Sequence, residues 1–197
     1  SLEIHAYTTE SGTYRFVAQY DLLVQHQAAP SFVRNEDAPL STGQRARYLR
    51  KEAGIDPTAR EIRECLRGLR TPQQKAKQDL LASVFQVCHQ IPVGAADWGV
   101  DEATDVLREG RGTAVGIARL FVALCRAARI PARLVSGFEL MSSEQAVPHV
   151  WAETYIGDHW VAHDPCCGYR GELPPEYVPV HTGGTGLLLP KSGIREW

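Results

Sequence analysis

No run in this chain approaches the roughly 18–20 consecutive apolar residues of a membrane-spanning helix. The first residues lack the charged-then-apolar layout of a secretory signal, and a start at Ser1 rather than Met is the beginning expected of a processed or excised piece. There is no basic surplus: 21 Lys and Arg are interspersed with 23 Asp and Glu, for a net charge of -2. Charge therefore gives no reason to expect a nucleic-acid partner, and a membrane could be reached only through regions outside this sequence. The five cysteines, Cys65, Cys88, Cys125, Cys166 and Cys167, are odd in number and contain no C-x2-C pair, so neither a disulfide framework nor a zinc knuckle is indicated. The stretch "TGGTGLLLPKSG" has no G-K-[ST] and no following helix, which excludes a phosphate loop and leaves it as a loop covering or leaving a sheet. No internal repeat and no low-complexity segment is present, and nothing calls for a cofactor.

What is present is ordinary globular material, 197 residues with 44% hydrophobic and 22% charged content, enough for one cored domain with a small appendage. Leu2, Ile4 and Ala6 alternate with polar neighbours, "ESG" turns, and Tyr14, Phe16, Ala18, Tyr20, Leu22 and Val24 alternate again, which predicts a β-hairpin. The stretch "QAAPSFVRNEDAPLSTGQ" has turn chemistry and weak periodicity and reads as a connector, so residues 1–38 form an N-terminal hairpin with connector and 39–197 the main domain.

Ile62, Cys65, Leu66 and Leu69 are spaced as one helical face. "TP" at 71 and 72 restarts a helix continued by Ala76, Leu80, Val84, Val87, Cys88 and Ile91. "VDEATDVLREG" predicts a short helix closed by Gly110. Then "GTAVGIARLFVALCRAARIP" carries a broad apolar stripe from Ile117 to Ala128, a central buried helix capped by Thr113 and stopped by Ile130-Pro131. Cys65, Cys88 and Cys125 fall on or beside these apolar faces as inert buried thiols. Strands follow at "ARLVSGFEL", "PHVWAETYI" and "HWVAHD", the last two joined by Gly157-Asp158. Hairpin, helices, then antiparallel sheet is an α+β order.

With that turn at the hairpin tip, opposed residues sum to 315. His149, Trp151, Glu153 and Tyr155 then share a face with Trp160, Ala162, Asp164 and Cys166. His149 and Asp164 become diagonal neighbours, roughly 7 Å apart at Cβ, close enough for a carboxylate to orient an imidazole, whether for base chemistry or as a structural hydrogen bond. His159 and His163 lie on the opposite face, so no three-histidine metal site is expected.

The segments "TPQQKAKQDLLASVFQVCHQI", "DEATDVLREGRGTA", "ARLFVALCRAARIPARLVSGF" and "PHVWAETYIGDHWVAHDP" together resemble the transglutaminase-like superfamily over roughly residues 56–168. The resemblance implies a variant of the papain-like cysteine protease fold, its helical half built on a central buried helix packed on an antiparallel sheet. It also implies a triad: a Cys in a G-x-C context opening the central helix, then His and Asp from the strands. His149 falls on the base and Asp164 on its orienting acid, whereas Gly112-Thr113-Ala114 puts Ala114 where the nucleophile would be. A thiol there would be activated by the helix N-terminus and the imidazole, and a methyl group has no such chemistry. Thr113 suits a cap better than a nucleophile. Cys166 follows Asp164 on the hairpin face, and Cys167 is expected to face away, the two making a loop thiol pair.

Trp151 and Glu153 match the family's H-x-W-x-E strand; packing and strand pairing suit both, with Trp151 kept as a candidate binding residue. Arg129 stands where the family has Gly at the helix end, a substitution costing about 1 kcal/mol if the left-handed conformation is kept. The resemblance thus implies a catalytically inactive transglutaminase-like domain with a binding or accessory role toward a protein or peptide ligand. A group of inactive transglutaminases fused to transmembrane helices would make it the extracytoplasmic soluble part of a bacterial membrane protein. The alternative is a thiol peptidase, amidase or transglutaminase whose Cys was exchanged for Ala at position 114.

Overall fold

The chain is described by a computed structural model covering residues 2–8, 14–20, 39–70, 77–94, 99–141 and 146–183. It divides into two units. The smaller contains strands β1 (Leu2–Thr8) and β2 (Tyr14–Tyr20), paired antiparallel from Leu2 opposite Tyr20 to Thr8 opposite Tyr14, the hairpin that the alternation predicts. Leu22, Val24 and the Thr71-Pro72 helix start lie outside the described residues.

The larger unit begins with a helix that the connector reading passed over, α1 (Thr42–Arg47). Its cause is local: Ser41 Oγ accepts from the Gln44 amide at 3.3 Å, and Gln44 Oε1 accepts from the Ser41 amide at 2.9 Å, a reciprocal capping box. None of its residues is buried, which is why hydrophobic spacing could not reveal it.

Helices α2 (Arg60–Leu69), α3 (Lys77–His89) and α4 (Ala103–Glu109) turn Ile62 and Leu66, then Leu80, Val84 and Cys88, then Ala103 and Val106 into one core, as their spacing predicts; on α3 Leu81 and Phe85 are buried as well, while Val87 of the expected face is only partly so. Gly110 ends α4 at φ 64°, in the left-handed region that glycine enters without a Cβ clash.

At the centre lies α5 (Ala114–Ala127), where Gly116 through Arg126 are buried except Arg119. Thr113 caps it: its hydroxyl accepts from the Gly116 amide at 3.1 Å and donates to Asp101. Gly116 lets the first turn lie against the segment that leads into α4, since a Cβ there would stand 2.3 Å from the Val100 carbonyl oxygen. At the other end, the wholly buried Arg126 side chain donates to the carbonyls of Ala132 (3.0 Å) and Arg50 (2.7 Å) and pairs with Glu52 at 3.3 Å. Arg129 then takes φ 62°, the conformation that a glycine would adopt freely.

Five strands complete the unit: β3 (Ala132–Leu140), β4 (Ala146–Ile156), β5 (His159–Asp164), β6 (Tyr169–Gly171) and β7 (Tyr177–Thr182). All neighbours pair antiparallel in the order β6-β5-β4-β3-β7. Gly157 and Asp158, at φ 61° and 64°, form the turn between β4 and β5, and Glu153 opposes Ala162 and Tyr155 opposes Trp160, the register in which paired positions sum to 315. One sheet face meets α5 through Leu134, Val150 and Ala152; the other carries a smaller cluster of Val135, Trp151 and Tyr177.

Two expected outcomes follow from this packing. Replacing the exposed Arg129 by glycine releases the strain of a left-handed arginine but adds unfolded-chain freedom, so Arg129→Gly is expected to stabilise by about 0.5–1 kcal/mol in urea unfolding. His163, 2% exposed on the α5 face between Phe85 and Phe121, has its pKa brought down to about 4 by burial first and the charge of Arg170 second. The unfolded state takes up that proton near pH 6.5 and the folded state only near pH 4. Stability is therefore expected to fall by about 3 kcal/mol as pH drops through this window, and the slope to flatten in His163→Gln.

Candidate functional site

Asp164 ends β5 with its side chain fully buried, and four donors converge on it. Its Oδ2 lies 2.7 Å from His149 Nε2 and accepts the Tyr177 hydroxyl at 2.8 Å; its Oδ1 accepts the amides of Cys166 (2.9 Å) and Cys167 (3.2 Å). Burial pushes this carboxyl up, but the hydrogen bond and charge of His149, the Tyr177 hydroxyl and the Cys167 amide outweigh it and hold the group below the usual carboxylate range. An ionised carboxylate has no proton to give, so His149 carries the hydrogen on Nε2, which fixes the ring and, when the ring is neutral, leaves Nδ1 as the basic nitrogen.

The imidazole is also held from its faces. Trp151 stacks near it, with ring centroids 6.3 Å apart, and Tyr177 meets it edge-on at 5.0 Å. Trp151 is 1% exposed, so it reaches the site as the support beneath His149. Glu153 pairs with Arg133 at 2.8 Å directly across the β3–β4 ladder, and the Arg133 guanidinium lies 4.0 Å from the Trp160 ring centroid, in keeping with strand pairing for Glu153.

Tyr177 belongs to β7, which sequence patterning missed along with β6. Its strand reads "YVPVHT", and the internal Pro179 together with Pro174 and Pro175 hides an edge strand. Gly137 admits this strand. It sits at a register shift of β3, where a Cβ would stand 2.0 Å from the Val178 carbonyl oxygen and 2.8 Å from the Trp151 ring.

After Asp164 the chain turns sharply, with the Gly168 amide donating to the Asp164 carbonyl at 2.9 Å and His89 Nδ1 donating to the Pro165 carbonyl at 2.8 Å. This turn overrules strand alternation for the two cysteines. Cys166 points toward α5, its sulfur 3.7 Å from the Ala114 carbonyl oxygen. Cys167 does not face away, as alternation would have it: its sulfur, a carboxylate oxygen of Asp164 and a ring nitrogen of His149 all lie within 4.8 Å of one another. The strand simply ends at Asp164, and period-two logic ends with it.

Ala114, half-buried as the first residue of α5, is thereby joined through Cys166 and its amide to Asp164 and then His149. The position carries no ionisable atom. Thr113 is committed as the cap, and burial, followed by the charge of Asp164, drives the Cys166 thiol far above its ordinary pKa. The arrangement can orient a base at His149, with no thiolate poised on the helix.

Tyr177 is open to direct measurement. Tyr177→Phe removes one hydrogen bond to a buried charge and is expected to lower stability by about 1.5–3 kcal/mol near neutral pH. Because the folded carboxyl then lies closer to its unfolded value, the loss of stability below about pH 4 should also become shallower than in the unaltered chain.

The family model described as "Transglutaminase-like superfamily" matches residues 62–165, more than half of the chain. No curated protein matches in sequence. Among solved structures, a chain from Cytophaga hutchinsonii described as a "putative cysteine protease" superposes with a TM-score of 0.60 at 18% identity, covering 93% of this chain and 67% of that one. A structure described as a TGase gives 0.44 at 16% identity, over 58% of this chain and 32% of its own. A "putative protease" from Parabacteroides distasonis gives 0.42 at 16%, over 82% and 35%. The present chain thus spans about two thirds of the first of these and a third of the others, and at 18% identity the likeness to the first is one of fold. On the family match, the fold and the order of its elements, this chain belongs to the transglutaminase-like superfamily.

Proposed function

We propose that this is a catalytically inactive transglutaminase-like domain, serving a binding or accessory role toward a protein or peptide as part of a larger protein. One observation carries the proposal: the first residue of α5 is Ala114, on a cap whose hydroxyl is already bonded to Asp101 and the Gly116 amide. Acyl transfer by this family's route needs a thiolate at that helix N-terminus to attack the acyl carbon, and the methyl group supplies neither charge nor lone pair. Among the described residues no helix is long and apolar enough to cross a membrane, so the proposal of a membrane-anchored parent rests on family analogy alone.

The intact bond between His149 and Asp164 favours a second reading, an acyl-transfer or hydrolytic enzyme lacking only its sulfur. Two assays test the readings, one each. The unaltered chain is expected to release no ammonia from glutaminyl peptides and to form no hydroxamate with hydroxylamine; turnover by that chain would sink the inactive reading. If only the sulfur is missing, Ala114→Cys gains a thiol that iodoacetamide alkylates at least about tenfold faster at pH 7 than a free cysteine, and His149→Ala removes the gain. A sluggish Ala114→Cys thiol would sink the second reading.

A further inference from the structure

We propose that His149, Asp164 and Cys167 form a binding site for a thiophilic divalent cation of the zinc type, with a fourth position open to solvent. It draws on the His149–Asp164 pair but not on residue 114, so it does not depend on whether that position carries sulfur. The three residues offer one nitrogen, one oxygen and one sulfur within 4.8 Å of one another. Around a tetrahedral zinc such atoms lie about 3.5 Å apart, so the 2.7 Å contact between His149 and Asp164 must open and the Cys167 sulfur must approach, movements of about 1 Å. The movable member is Cys167, which is exposed on the turn that follows β5, while Asp164 is locked in place by its two amide donors.

The donor set selects the metal. A thiolate and an imidazole are ligands for zinc or cobalt and poor ones for calcium or magnesium, which take oxygen. Coordination exchanges protons for the cation: the Cys167 S–H proton and the His149 Nε2 proton pass to solvent, and Nδ1 takes a proton from solvent to keep the ring neutral as its other tautomer. The net release is one proton from the thiol. The His149–Asp164 hydrogen bond is replaced by two bonds to the metal, while the Tyr177 hydroxyl and the amides of Cys166 and Cys167 still hold the carboxylate from outside. Three protein ligands at a partly exposed position leave room for a water as the fourth.

The test titrates the reduced, metal-free full chain with Co2+, whose tetrahedral and thiolate-bound states are coloured, and then competes with Zn2+. The expected result is one Co2+ per chain, a thiolate-to-cobalt charge-transfer band in the near ultraviolet and visible tetrahedral absorption, all bleached by Zn2+. Cys167→Ser should lose the charge-transfer band and bind at least about tenfold more weakly, and His149→Gln should bind more weakly as well. Cys166→Ser, whose sulfur faces Ala114, should keep the band and the affinity. Circular dichroism of each variant reports its folding, and the exposed Cys167 can be exchanged for Ala as well as Ser. No cobalt uptake, uptake without a thiolate band, a band that survives in a folded Cys167→Ser chain, or one that disappears with Cys166→Ser would each overturn the proposal.

Discussion

A fully buried carboxylate organises the larger unit around one point. Asp164 lies at the end of β5, and its four donors come from β4 (His149), β7 (Tyr177) and the turn that returns the chain toward α5 (Cys166 and Cys167). An unpaired charge at that depth would cost several kcal/mol, so every donor is under constraint to stay. Gly137 exists in this context as clearance: without it β7 could not approach β3, and the Tyr177 hydroxyl could not reach across to Asp164.

The helix side of the site obeys a different constraint, close backbone approach. Gly116 allows the Val100 carbonyl to press on the first turn of α5, the Thr113 amide donates to that same carbonyl at 3.2 Å, and the capping Thr113 hydroxyl donates to Asp101 next to it. The N-terminal dipole of a long buried helix is thus presented beside the β5 turn, an environment that would favour a thiolate if residue 114 carried one. The geometry that activates a nucleophile and the presence of a nucleophile are separate properties, and Ala114 bears only on the second.

Where burial imposes a period, the sequence was readable. The register of β4 on β5 followed from a Gly-Asp turn and period two, and with it the pairing of His149 with Asp164. The core faces of α2, α4 and α5 followed from helical spacing, and the left-handed Arg129 from the resemblance, which puts a glycine at that helix end. Elements without a buried period escaped. The exposed α1 announces itself only by Ser41 and Gln44, and β7 is masked by prolines. Cys167 escaped for a subtler reason, because alternation was carried past Asp164 into a turn whose hydrogen bonds, Gly168 to Asp164 and His89 to Pro165, set new directions.

That His149 and Asp164 are bonded says less about activity than its resemblance to a catalytic pair suggests. Removing the Asp164 carboxylate would strand the Tyr177 hydroxyl and two amides together with the imidazole, a loss of several hydrogen bonds to a charge, each worth about 1.5–3 kcal/mol. The fold therefore has its own reason to keep the pair, whether or not any acyl group is transferred. Position 114 has no comparable structural duty: a half-buried methyl on the first turn of α5 satisfies the helix as well as a thiol does. On the proposed reading it is therefore position 114, and not the bonded pair, that reports on chemistry, and it carries no sulfur.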